Sequence, residues 1–277
     1  MKASKKKGDL MPLLSAALLL LYLVYQAPGN SLLPVFKEEN LGNNLVYLET
    51  LPSLAEEGLV ISIGGNINPL PGPRFPDKVE PPFFCPTVSE IFALSDLNIA
   101  NLAAPFVEDD YEALNKARAW GNTPVMAPLL KKAGIDLIQL SGHHILDYGA
   151  LGLVNTLALL EGQDMIPLGA GLNSEEAFTP YYYTKEGLTL GILALNASPP
   201  PGWAAGTNRL GVTAGDEQII KAVLKEMERE SQLSLVLVSF KDSHSPKASE
   251  EQKEYARQLV NMGAHIVVGT GANVVQE

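Results

Sequence analysis

Two adjacent histidines, His143 and His144, close an apolar run, and an acid, Asp147, follows three residues later in Gly134–Gly149, GIDLIQLSGHHILDYG. Imidazoles at a strand end are competent metal donors, and a neighbouring carboxylate can orient such a ring from behind. The same pair can be purely structural, with one ring packed and hydrogen-bonded locally and the other facing solvent. Asp147 suits either an active-site role or a place beside the N-terminus of the next helix. Four further turns follow apolar runs: Gly64 to Asn66, Asn101 to Ala103, Lys241 to His244 and Gly269 to Asn273. In an α/β protein such turns gather at one edge of the sheet, where sites are built.

Other candidates are weaker. Gly169-Ala170-Gly171 with Asn173 lacks the full dinucleotide or phosphate-loop spacing and reads as a plain turn. Lys241-Asp242-Ser243-His244 reads as a solvated loop. Ser243 and His244 are not a nucleophile pair by adjacency, and there is no nucleophile elbow. His265 opens a strand away from the proposed edge and reads as structural.

With 277 residues, 46% of them apolar, the chain can bury a sizeable core. A net charge of −11 argues against nucleic acid as a partner, since binding it needs a basic face. The single cysteine, Cys85, excludes an intramolecular disulfide and a cysteine-rich metal site.

At the N-terminus, residues 1–9 carry Lys2, Lys5, Lys6 and Lys7, and residues 10–27 are uncharged and largely apolar. About 18 such residues match the hydrocarbon thickness, so a single transmembrane anchor is expected. A cleaved signal peptide is the alternative, but Tyr25 and Gln26 make a poor cleavage site. The lysines place that end in the cytoplasm and the rest on the extracytoplasmic side of the cell membrane. The outer part then has 16 basic and 30 acidic residues, a balance of −14.

Residues 28–57 read as a linker with one short helix near 46–56, and 58–277 as one domain. Strand patterns at 59–63, 97–100, 137–140, 165–168, 233–240 and 265–268 alternate with helical patterns at 87–94, 109–120, 125–133, 151–160, 216–229 and 249–262. The prolines of 68–86 exclude continuous helix. Asn173 or Ser174 caps a short helix, 181–184 and 188–195 form a hairpin, and Ser249 with Gln252 makes a capping box. The alternation predicts an α/β domain with buried, mostly parallel strands.

From Gly58 to Glu277 the chain resembles the bacterial capsule-synthesis CapA family, the poly-γ-glutamate capsule proteins. The resemblance is carried by AGIDLIQLSGHHILDYGALGLVNTLALLEGQDMIPLGAGLNSEEAFTP (133–180), DLNIANLAAP (96–105) and QKEYARQLVNMGAHIVVGTGANVVQ (252–276). That family is similar to calcineurin-like metallophosphatases, which implies two mixed sheets sandwiched between helices. It also implies membrane anchoring, partners among capsule-polymer synthesis or export proteins, and a role in making, exporting or anchoring an anionic polymer. The family runs on beyond the positions matched by 268–277, so a C-terminally short domain is expected, by nature or by an interrupted reading frame.

The departures fall on the metal motifs. A family Gly-Asp is Gly65-Asn66, Asn-Leu-Glu is Asn101-Leu102-Ala103, and Asn-Asn-His is Gly142-His143-His144. His-Trp-Gly falls on Lys241-Asp242-Ser243, and the last histidine-rich turn on 269–273 has no histidine. Dinuclear hydrolysis needs anionic or imidazole ligands around two divalent ions. Weak or absent metal binding and a degenerate, non-catalytic member are therefore expected. His144 and Asp147 remain as catalytic candidates, His143, His144 and Asn66 as a residual metal site, and Asn101, Lys241 and Asn273 as ligand-binding positions. The alternative is a metal-dependent hydrolase of phosphoesters or amides centred on His143 and His144.

Overall fold

The computed structural model describes residues 21–26, 31–34, 58–67, 86–108, 111–114, 119–272, 274 and 276. In chain order the elements are β1 (Leu21–Gln26), β2 (Ser31–Pro34), β3 (Leu59–Ile67), α1 (Pro86–Ala93), β4 (Leu97–Leu102), α2 (Met126–Lys132), β5 (Leu137–Gln139), α3 (Gly149–Glu161) and β6 (Ile166–Leu168). They continue with β7 (Ala170–Gly171), α4 (Ser174–Phe178), β8 (Tyr181–Lys185), β9 (Leu188–Asn196), β10 (Gly211–Val212), α5 (Glu217–Glu230), β11 (Leu233–Ser243), α6 (Glu250–Asn261) and β12 (Ile266–Ala272).

Two mixed sheets form the centre. One has the order β2-β1-β3-β4-β5-β6, the other β12-β11-β9-β8, and β7 and β10 make a small separate pair. Strands β3 to β6 are mutually parallel, as are β9, β11 and β12; β1, β2 and β8 are antiparallel to their neighbours.

The period-2 geometry of strands explains the layering. Leu97 and Ile99 of β4 face Leu190 and Ile192 of β9 and Leu235 and Leu237 of β11 in the core between the sheets. The alternate residues Ala100 and Leu102 pack outward with Met126, Leu130, Leu153 and Leu160 from α2 and α3. On the far side Leu193, Leu195, Val236 and Val238 pack with Ile220, Leu224 and Met227 of α5 and Leu259 of α6. The result is the expected pair of mixed sheets between helices. Burying one such Leu or Ile contributes about 1.5–3 kcal/mol.

Several local expectations are corrected. Residues 109–120 are not helical where described: the Leu114 N–H goes to the Asp147 carbonyl at 2.8 Å instead of back along its own chain. Long-range bonds there replace the i to i−4 pattern that a helix requires. Strand β11 runs on through the expected loop at Lys241, and β12 continues through the glycines of the expected turn, because the parallel ladder between them extends to Ser243 and Ala272.

Leu21–Gln26, in the apolar run read as a transmembrane helix, is a strand paired antiparallel with β3, and Ser31–Pro34 is a strand where a linker was expected. The run LYLVYQ is rich in residues that suit strands, and the edge of β3 offers unpaired backbone groups. Among the described residues no helix is long and apolar enough to cross a membrane. Residues 1–20 and the helix expected near 46–56 lie outside the described residues.

At the end of the sandwich opposite the strand C-termini, one ion pair ties the sheets. Lys185 Nζ of β8 meets both Asp96 carboxylate oxygens at 2.9 Å and the Gly58 carbonyl at 2.8 Å. Asp96 also accepts the Val60 N–H of β3 at 2.8 Å. The Asp96 hydrogen bond holds the Lys185 ammonium above its ordinary pKa, while burial pulls the other way. A raised folded-state pKa stabilises below the unfolded lysine value and is lost as pH climbs through the folded one. Lys185→Met is expected to lower unfolding free energy by about 1–2 kcal/mol at pH 7. Urea titrations of both proteins should show that difference shrinking above about pH 10.5.

Candidate functional site

The C-terminal ends of the strands converge on one cleft. Its walls are Asn66, Asn101, Ala103, Trp120, Gly142, His143, His144, Ser239, Phe240 and Gly271. Local irregularities bring these residues together. Ile63 pairs with Ile99 but Asn66 pairs with Asn101, so β3 carries one residue more than β4 across that interval. This bulge at Gly64-Gly65 sets Asn66 opposite Asn101. Asn101 Nδ2 then donates to Asn66 Oδ1 at 2.6 Å. At the far wall Gly271 has φ +106°, and a Cβ there would strike the Phe240 carbonyl, so only glycine fits.

His144 is held on two sides. Its Nδ1 lies 2.9 Å from Asp147 Oδ2, and its ring stacks on Trp120 with centroids 5.0 Å apart. Asp147 is fully buried and also accepts the Trp120 N–H at 2.9 Å. It sits two residues ahead of α3, yet its carboxylate serves the ring and the Trp120 backbone rather than the helix end. Burial, and then the adjacent Asp147 carboxylate, raise the neighbouring Tyr148 hydroxyl above its ordinary pKa.

The loop that carries Trp120 is fastened to the segment that follows β4. Val107 and Asn122 bond through their backbones at 2.8 Å, and Asn122 Nδ2 donates to the Ala104 carbonyl at 2.7 Å. Trp120 was missed in the sequence because it fell inside a presumed helix; the Gly121-Asn122-Thr123-Pro124 run after it was the usable signal of a turn.

Of the residues singled out earlier, Asn66, Asn101, His143 and His144 share the cleft, and Asp147 stands behind His144. Lys241 is exposed and is not among the lining residues. The parallel ladder keeps β11 extended past the cleft, so Ser239 and Phe240 line it instead. Asn273 lies outside the described residues. His265 is structural as read: its Nδ1 faces Ser234 Oγ at 2.8 Å.

A family model described as bacterial capsule synthesis protein PGA_cap matches residues 63–277. The chain belongs to this family. The PGA biosynthesis protein CapA of Bacillus subtilis (strain 168) is 25% identical over 191 residues, 68% of this chain and 50% of that protein. The capsule biosynthesis protein CapA of Bacillus anthracis is 24% identical over 196 residues, 68% of this chain and 48% of that one. The chain thus spans about half the length of these two CapA proteins. Among solved structures, a Staphylococcus aureus protein assigned as a 5′-nucleotidase, in complex with alpha-ketoglutarate, aligns with a TM-score of 0.44 at 17% identity, covering 76% of this chain and 44% of that one.

The cleft of this PGA_cap member offers two imidazoles, two neutral amides and one hydroxyl, and among the described residues none of its lining side chains is a carboxylate. Among the described residues no three His, Cys, Asp or Glu side chains cluster as metal ligands do. Asp147 is occupied by His144 and Trp120. Two divalent ions need anionic or imidazole ligands around both, and among the described residues two imidazoles are too few to fit such a pair.

Asp147→Ala is expected to cost about 3 kcal/mol of stability, because a buried pair and a backbone bond are broken together. It should also speed exchange of the Trp120 amide hydrogen. Unchanged exchange there, measured by NMR or mass spectrometry, would contradict the clamp.

Proposed function

We propose that this chain is a membrane-tethered, extracytoplasmic and non-catalytic PGA_cap member. It positions partner proteins in the synthesis, export or anchoring of a capsule polymer such as poly-γ-glutamate. The observation that supports the reading is the cleft: the strand ends converge on it, but among the described residues its walls carry no carboxylate and no cluster of three metal-ligating side chains. The tether is supported by the four N-terminal lysines and the uncharged run 10–27. A tether through this run requires Leu21–Gln26 to leave the edge of β3 with which it pairs here. Alkaline carbonate extraction of cell membranes tests the tether, which predicts that the chain stays in the pellet.

The non-catalytic reading predicts no turnover of p-nitrophenyl phosphate with Mn²⁺ present. It also predicts a gain when anionic ligands are supplied. Asn66→Asp combined with Ala103→Glu places two carboxylates beside His143 and His144, and the double variant should retain Mn²⁺ that the parent chain loses on desalting. Equal retention by both proteins would contradict the reading. Deleting the gene should change surface polymer or the levels of partner proteins.

A second reading has one observation in its favour, the short His144–Asp147 contact, which suits a proton-transferring imidazole. It makes the chain a hydrolase of phosphoesters or amides. Metal-dependent activity lost in His144→Ala would select it.

A further inference from the structure

Helix α3 turns its polar side chains inward and its apolar ones to water. Before Glu161 its polar side chains are Asn155 and Thr156. Asn155 Nδ2 donates to the Phe106 carbonyl at 3.1 Å, and Thr156 Oγ1 accepts the Phe106 N–H at 2.8 Å. The outward side chains are Ala150, Leu151, Val154 and Ala158, with Leu151 59% and Val154 42% exposed. Residues 149–160 carry no charge. Leu114, 54% exposed, lies against the same helix: a Cβ at Gly149 would be 3.2 Å from its Cδ1. By contrast, α5 and α6 present Lys221, Lys225, Glu228, Glu251, Glu254 and Arg257 to water. A helix that is apolar on every side is one that something covers.

We propose that the cover is α3 of a second copy of this chain, packed antiparallel about a two-fold axis at Val154. Residues four apart form the ridges by which helices interdigitate. The outward ridge Ala150, Val154, Ala158 reads the same in both directions. A two-fold axis at Val154 sets each Ala150 beside the other copy's Ala158, where small side chains let the helices come close. Such self-complementarity is what an isologous interface requires.

Charge selects the same patch and the same direction. At −11, two copies repel across most of their surfaces, but along this ridge no like charges meet. Antiparallel packing brings each exposed Glu161 to the N-terminal end of the other copy's α3, where an acid is favoured. Parallel packing would set Glu161 beside Glu161. A lipid surface is a poorer match, because helices that lie on membranes carry Lys and Arg beside their apolar face and α3 has neither. One helix face makes a small interface, so the dimer is weak, with a Kd on the order of micromolar or above. The inference does not depend on what the cleft holds.

The test is disulfide cross-linking of the full chain in the cells that express it, with Cys85→Ser in every variant. Under mild oxidation Val154→Cys is expected to form a covalent dimer about tenfold faster than Glu228→Cys on α5. Adding Leu151→Glu should slow that dimer about tenfold. Co-expressed chains carrying Ala150→Cys and Ala158→Cys should link to each other faster than either links to its own kind. Melting temperatures of the purified variants check that each folds, and if Val154→Cys does not, the Ala150 and Ala158 variants decide alone.

Val154→Cys linking no faster than Glu228→Cys, or linking to a protein other than a second copy, would overturn the proposal. So would a Val154→Cys thiol shielded from a water-soluble maleimide only when phosphatidylcholine vesicles are added, which would give the face to lipid. Ala150→Cys or Ala158→Cys chains that link to their own kind faster than to each other would overturn the antiparallel packing. Metal retention tests the cleft separately, so failure here leaves the non-catalytic reading standing.

Discussion

Where the two sheets meet under the cleft, they are joined by buried polar contacts rather than by apolar ones. Gln139 Nε2 of β5 donates to Ser141 Oγ at 2.9 Å, and Ser141 Oγ donates across to the Leu195 carbonyl of β9 at 3.0 Å. Asn196 Nδ2 returns the link to the Ser141 carbonyl at 2.6 Å, and Thr270 Oγ1 of β12 reaches Gln139 Oε1 at 3.3 Å. Thr213 adds a bond to the Ala194 carbonyl at 3.0 Å. Each of these groups is taken from water, which is costly unless every bond is made with good geometry. A slip of one sheet over the other would break several at once. The network therefore fixes the relative position of the strand ends that form the cleft. Gly169 shows how closely the layers approach there, since a Cβ at that position would lie 2.9 Å from both Ser141 and Ala194.

Much of this frame was legible in the sequence because its causes are local. The alternation in β4, β9 and β11 follows from period-2 patterning, and the Ser249–Gln252 capping box and the Asn173 cap are as the residue types implied. What was not legible depended on distant partners. Leu114 and Trp120 take their bonds from Asp147, more than twenty residues away, so a helix-like composition did not become a helix. Leu21–Gln26 is apolar enough for a membrane, but its strand pairing depends on an edge of β3 that no local pattern reveals.

The site was legible in part. The turns holding Asn66, Asn101, His143 and His144 could be placed at one edge from strand order alone. Their contact with one another depended on a bulge and a stacked tryptophan that carry weak signals. Lys241 was misplaced because the parallel ladder prolongs β11 beyond the apolar run that marked its end. The polar network beneath the cleft gave no signal, since Gln139, Ser141 and Thr270 look unremarkable within their strands.

These features describe a PGA_cap chain whose strand ends converge on a cleft lined, among the described residues, by imidazoles, amides and a hydroxyl. The direct measurement is elemental analysis of the purified full chain after incubation with Mn²⁺ and desalting. The account predicts far less than one ion per chain. Two ions retained per chain would contradict it.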